Sequence, residues 1–156
     1  MNFGLVMALF GVVIAASAGI GSAMGVAIAG KAGTGVLSEK PELFGKVLVL
    51  QALPGTQGIY GFLVAVLILV KIGLLGGADV TLTATQGFAF LAAGVPIGLV
   101  GILSGIYQGK IAASSILMTA KDPSLSTRGM TMTALVETYA ILALLVSILM
   151  WNSITV

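Results

Sequence analysis

Four long apolar stretches constrain this chain more than any other feature. They run over residues 3–30, 46–75, 86–119 and 129–152. Each exceeds the roughly 20 residues that a helix needs to cross a bilayer. In lipid every backbone N–H and C=O must be paired within its own segment or in a closed barrel, so stretches this long predict helices. Charged residues make up only 8% of the sequence, against about a quarter in soluble domains, which is too few to coat a water-facing surface. The expected fold class is therefore an all-α membrane protein with four transmembrane helices. The opening "MNFGLVMALFGVVIAASAG" contains a signal-like "ASA", but no basic residue precedes Lys31. It reads as a retained first transmembrane helix rather than a removed leader.

Three connections separate the stretches: "SEKPELFG" (38–45), "GGADVTLTAT" (76–85) and "AKDPSLSTRG" (120–129). Proline and charge mark the first and third as turns at a membrane surface. The chain thus divides into a first hairpin (1–75), a linker (76–85) and a second hairpin (86–156). Lys31, Lys40, Lys46, Lys121 and Arg128 flank the two hairpin turns, whereas only Lys71 lies near the linker. The positive-inside rule then predicts a multi-pass cell-membrane protein with cytoplasmic hairpin turns, an extracytoplasmic linker and both termini outside.

The two hairpins read as copies. "AGIGSAMG" (18–25) answers "SGIYQGKI" (104–111), and alignment on Pro41 and Pro123 puts Gly55 opposite Glu137. A duplicated hairpin has kept its acid in one copy only. Small residues recur four apart at Gly21, Gly25, Ala29 and Gly33, and again at Gly101, Gly105, Gly109 and Ala113, as in helices whose backbones approach closely. The second and fourth helices carry Leu, Val and Ile instead. Narrow helices inside and bulky helices outside predict a homo-oligomeric ring. "GIGSAMG" mimics a dinucleotide fingerprint but has no preceding strand.

Cysteine and histidine are absent, which excludes disulfides, thiol or Ser-His nucleophiles and the usual transition-metal sites. There is no phosphate-binding motif, and the net charge of +2 carries no sign of a nucleic-acid partner. No catalytic residue is assigned. The chemistry lies in the polar residues of the apolar stretches. Glu137 falls nine residues beyond Arg128, about 13 Å along a helix and near the middle of a core about 30 Å thick. A central acid costs about 2.5–3.5 kcal/mol on insertion scales and is read as functional by default; the bland alternative is a protonated carboxyl that glues helices together.

Gln57 reaches a similar depth, about 16 Å past Lys46. Leu53, Thr56, Gln57 and Tyr60 share one helical face. Pro54 removes a backbone donor, so carbonyls near Leu53 are expected to be available to a ligand; the alternatives are a simple kink and, for Thr56, a bond back to its own helix. The third helix adds Gln108. Lys110 is rotated about 200° from it, so it is not the expected partner of Glu137 and should snorkel or line a ring lumen. The collected oxygens are those of Glu137, Thr56, Gln57, Gln108 and the Leu53 carbonyl. One negative charge among hard ligands suits a monovalent cation, whereas calcium wants more carboxylates. A proton needs only the acid, so the surrounding amides and hydroxyl favour Na+ over H+. Tyr60 is placed to orient the carboxylate from behind.

Taken in order, "LPGTQGIYGF", "SGIYQGK" and "VETYAIL" resemble the rotor-ring proteolipid, the K or c subunit, of V-type rotary ATPases in the sodium-pumping bacterial branch. The resemblance covers essentially the whole chain and implies a ring of identical four-helix protomers. It implies that Glu137 is the exchangeable carboxylate and that Thr56, Gln57, Gln108 and the Leu53 carbonyl complete a sodium shell. It also implies that Tyr60 hydrogen-bonds the glutamate in a locked state. Tyr107 departs from the family pattern, where a smaller residue is more usual. The implied partners are identical subunits, a membrane stator, central-stalk subunits on the cytoplasmic loops, and lipid. The implied role is non-catalytic, with ATP hydrolysed by other subunits. The competing expectations are a proton-carrying ring of the same fold, a small four-helix cation/drug antiporter and a purely structural membrane proteolipid.

Overall fold

The computed structural model describes residues 2–77 and 81–156. Among these, helices are the only regular structure, and four are long and apolar enough to cross a membrane: Phe3–Glu39, Pro41–Lys71, Ala84–Lys121 and Pro123–Ser153. The expected all-α, four-span fold class is borne out, and the chain is a multi-pass membrane protein. Part of the expected linker, residues 78–80, lies outside the described residues.

The first span consists of α1 (Phe3–Ala16) and α2 (Ala18–Glu39). Asn2 starts it, its side-chain oxygen accepting from the Leu5 N–H at 2.9 Å, which satisfies one of the orphan donors of a first turn. At the joint the Ser17 hydroxyl donates to the Ile14 carbonyl at 2.6 Å. The second span comprises α3 (Phe44–Ala52), a tight 3-10 turn over Leu53–Gly55, and α4 (Thr56–Lys71). Pro54 sits in that turn, as its missing N–H requires. Past α4 a 3-10 turn over Leu74–Gly76 is flanked by Gly73 and Gly77, whose φ values of 78° and 68° lie in the region that a Cβ disfavours.

The third span is a single helix, α5 (Ala84–Lys121), opened by a capping box between Thr83 and Gln86. It contains Pro96, and the neighbouring Ile97 N–H is satisfied from another helix, donating to the Ser147 hydroxyl at 3.2 Å. The fourth span ends in α6 (Ser126–Ser153).

The hairpin turns are shorter than the sequence predicts. Charge and proline point to loops over residues 38–45 and 120–129, yet helix persists to Glu39 and to Lys121. Each chain break is one residue, Lys40 or Asp122, followed at once by a 3-10 turn starting with Pro41 or Pro123. The reason is local. Proline cannot continue the incoming helix, but its fixed φ suits the first position of the next one. Asp122 closes its turn by accepting from the Ser124 N–H at 2.9 Å. The side-chain and backbone hydrogen bonds from Ser124 hold its carboxyl below the usual aspartate range.

The first and third spans lie against each other along their whole length. A Cβ on Gly21 would strike the Ile102 backbone, on Gly25 the Gly105 carbonyl, on Gly105 the Gly21 backbone and on Gly109 the Gly25 backbone. The same holds nearer the N-terminus, where Gly94 meets Gly11 and Gly87 meets Gly4. The third span also packs closely on α6, and α4 closes the bundle against α1, α2, α5 and α6. One apolar core collects Leu5, Val64, Ile68, Phe90 and Ile97, and a second collects Val47, Leu50 and Ile116. The polar site lies between these two cores, where α4, α5 and α6 meet.

Candidate ion-binding site

The Leu53–Gly55 turn sets the site's first element. It stands just before Thr56, Gln57 and Tyr60, of which Gln57 reaches α5 and Tyr60 reaches α6. Gln57 is fully buried, and so is Gln108 on α5. The two amides meet, Gln57 Nε2 donating to Gln108 Oε1. Gln57 Nε2 also donates to the Ser104 hydroxyl at 3.2 Å. Gln108 Nε2 donates to the Thr133 carbonyl of α6 at 3.2 Å. Glu137 is half-buried on the same helix, and the Tyr60 hydroxyl donates to its Oε1.

Two predicted ligands engage each other. The Thr56 hydroxyl donates to the Leu53 carbonyl at 3.1 Å, and the Thr56 N–H closes the 3-10 turn on that same carbonyl. The bond back to its own helix is therefore present. It commits the hydroxyl's hydrogen while leaving its lone pairs, and the Leu53 oxygen already accepts two donors.

One oxygen is left over. Among the described residues, Gln57 Oε1 is a buried side-chain oxygen with no hydrogen-bond partner. Buried acceptors are nearly always paired, because an unpaired one forfeits the water it lost. An uncompensated amide oxygen beside a carboxylate-bearing helix attracts a cation or a donor. The available donor set fits a small hard cation of single charge: one carboxylate with neutral amide and hydroxyl oxygens. Among the described residues no three His, Cys, Asp or Glu side chains gather as a divalent or transition-metal site would require.

Lys110 lies on the far side of α5 from Gln108. It is exposed, with its ammonium 4.8 Å from the centroid of the Tyr107 ring, so it is no partner of Glu137. Tyr107 is also exposed. Three participants are not evident from the sequence. Ser104 receives the Gln57 amide, the Val136 carbonyl accepts from Ser104 at 3.1 Å, and the Ser22 hydroxyl accepts from the Gly58 N–H at 2.8 Å. Ser104 stands one turn before Gln108 on the same face, and that i, i+4 spacing is the signal that marks it.

Two segments of the chain, residues 10–68 and 91–150, match the family described as the C subunit of ATP synthase, one match for each hairpin of the duplication. The chain is 45% identical over 150 residues to the V-type sodium ATPase subunit K of Enterococcus hirae, an alignment covering 96% of this chain and 92% of that protein. It is 43% identical to the A-type ATP synthase subunit K of Methanocaldococcus jannaschii over 85% of this chain and 56% of that longer one. It is 34% identical to the 16 kDa proteolipid of the V-type proton ATPase of Nephrops norvegicus over 92% of this chain and 90% of that one.

Proposed function

The chain belongs to the family of ATP synthase C subunits, and from that premise we propose that it is a rotor-ring subunit of a V-type ATPase, carrying one sodium ion per protomer across the membrane. It is a non-catalytic subunit, with ATP hydrolysed elsewhere in the assembly. The observation that carries the sodium reading is the buried, partnerless Gln57 Oε1, on an amide bonded to Gln108 and three residues before Tyr60, which donates to the Glu137 carboxylate. The 45% identity to a subunit of a sodium ATPase supports it.

In this mechanism Glu137 supplies the charge, and Thr56, Gln57, Gln108 and the Leu53 carbonyl, once the Thr56 hydroxyl turns away from it, replace the ion's water. Neutralising the carboxylate removes the penalty for carrying it through lipid, so a loaded protomer rotates freely through the bilayer. At the membrane stator a basic residue competes for Glu137 and releases the ion, and a half-channel reloads it. Identical copies form the ring, and central-stalk subunits seat on the hairpin turns, which face the cytoplasm with both termini outside. A duplicated hairpin with one acid carries fewer ions per revolution than a ring of single acid-bearing hairpins with the same helix count.

Sodium and protons compete for the same carboxylate. A carboxyl-directed carbodiimide is expected to modify Glu137 in the assembled enzyme, with sodium protecting it increasingly as pH rises and potassium protecting it much less. Glu137→Gln removes both the labelling and the ion transport. Equal protection by potassium and sodium, or ATP hydrolysis indifferent to sodium, favours the second reading, a proton-carrying ring like the Nephrops norvegicus relative by name.

A further inference from the structure

We propose that Ser104 is a positioning residue of this site, which together with Gln108 Oε1 fixes the Gln57 amide so that its oxygen rather than its N–H is presented to the ion. The inference rests on the sodium reading above and deepens it.

A glutamine amide is nearly symmetric in shape, so its partners decide which way round it sits. Gln57 Nε2 has two hydrogens, and both have acceptors: Gln108 Oε1 and the Ser104 hydroxyl. Ser104 has a single hydrogen and spends it on the Val136 carbonyl at 3.1 Å. Toward Gln57 it therefore offers only lone pairs. Facing an acceptor that cannot donate, the amide must turn its NH2 that way, and its oxygen is the atom left without a partner. Gln108 is oriented by the same logic, since its Nε2 donates to the Thr133 carbonyl and its own oxygen is thereby turned to Gln57. Two backbone carbonyls in the α6 turn leading to Glu137 thus set the polarity of both amides, directly for Gln108 and through Ser104 and Gln108 together for Gln57.

The consequence is selective. An amide oxygen attracts a cation and amide hydrogens repel it, so a Gln57 free to reverse weakens sodium binding. Protonation of Glu137 needs no oxygen cage and does not depend on which way Gln57 faces. Ser104 is buried, but it borders an apolar groove of about 310 Å³ with Val100, Leu103, Tyr107, Val136 and Tyr139, so an added methyl has room.

The test uses the full assembled enzyme in membranes, carbodiimide as the probe and sodium as the protecting ion. Ser104→Ala is expected to raise the sodium concentration for half-protection about tenfold, the effect of one lost orienting hydrogen bond. The pH profile of labelling in sodium-free buffer should stay where it is. Ser104→Thr keeps the hydroxyl and should return half-protection to within roughly twofold of wild type. If the alanine variant fails to assemble, Ser104→Cys, near-isosteric and a poor acceptor, makes the same comparison. Unchanged half-protection in the alanine or cysteine variant overturns the proposal, as does equal impairment of alanine and threonine variants or a pH profile that moves with the sodium requirement. Wild-type labelling indifferent to sodium overturns the sodium reading itself, and this inference with it; intact wild-type protection with an unaffected Ser104→Ala overturns the role of Ser104 alone.

Discussion

Tyr60 donates its hydroxyl to Glu137 Oε1, a link between α4 and α6 that holds one carboxylate oxygen in place. Hydrogen bonds to charged groups are worth about 1.5–3 kcal/mol net, so Tyr60→Phe is expected to raise the sodium needed for half-protection of Glu137 by about tenfold or more. It should also speed carbodiimide attack in sodium-free buffer, because the freed carboxylate samples more orientations. Unchanged values for both would show that the bond contributes nothing to ion holding. At this scale the sequence is most readable where polar side chains are rare. Gln57, Gln108 and Glu137 stand out because each costs free energy at mid-membrane, and helical spacing alone puts Tyr60 on the face of Gln57. Ser104 is hard to see because a serine in an apolar helix commonly bonds back to its own backbone. Pro54 points to the Leu53 carbonyl, and the alternative reading of Thr56, a bond back to its own helix, is the one that occupies it.

The elements are held by backbone contact as much as by side chains. Gly109 on α5 faces the Gly25 backbone so closely that a Cβ overlaps it, whereas Gly35 on α2 has open space at that position. Gly109→Ala is therefore expected to destabilise the protein by about 1–3 kcal/mol, as overpacking does. Gly35→Ala should be neutral or stabilising by up to about 1 kcal/mol, the usual helix gain. Thermal denaturation of the detergent-extracted assembly checks both, and equal effects at the two positions would contradict the seam. The small-residue spacing makes this contact predictable. The hairpin turns are less so: charge and proline suggest eight- and ten-residue loops, yet a helix needs only Lys40 or Asp122 out of register before proline restarts it. The basic residues near the turns also have structural duties that charge counting does not reveal. Lys40 donates to the Ala120 carbonyl at 2.5 Å and Lys46 to the Pro123 carbonyl at 2.8 Å, tying the two hairpins together at one end. At the other end Lys71 donates to the Trp151 carbonyl at 2.7 Å and lies over the Trp151 ring.

As a whole the protomer exposes apolar side chains on every span, with Phe62, Leu135 and Tyr139 each more than 60% exposed, a surface that only lipid or further copies can cover. Glu137 is the only acid within the four apolar stretches; Glu39, Glu42, Asp79 and Asp122 fall in the connections. Intact-mass measurement after carbodiimide treatment is accordingly expected to show one adduct per chain, lost in Glu137→Gln; two adducts would break the stoichiometry of one ion to four spans. The duplicated architecture is legible from the matching turns and the lone retained acid. The polarity of the amides is not, because it depends on carbonyls that every residue carries. The glycine seam between the first and third spans has a mechanical corollary. Backbones pressed together from Gly4 to Gly109 leave little room for shear, so each protomer of the proposed ring is a stiff stave, and the elastic give of a loaded rotor resides in the joints between staves.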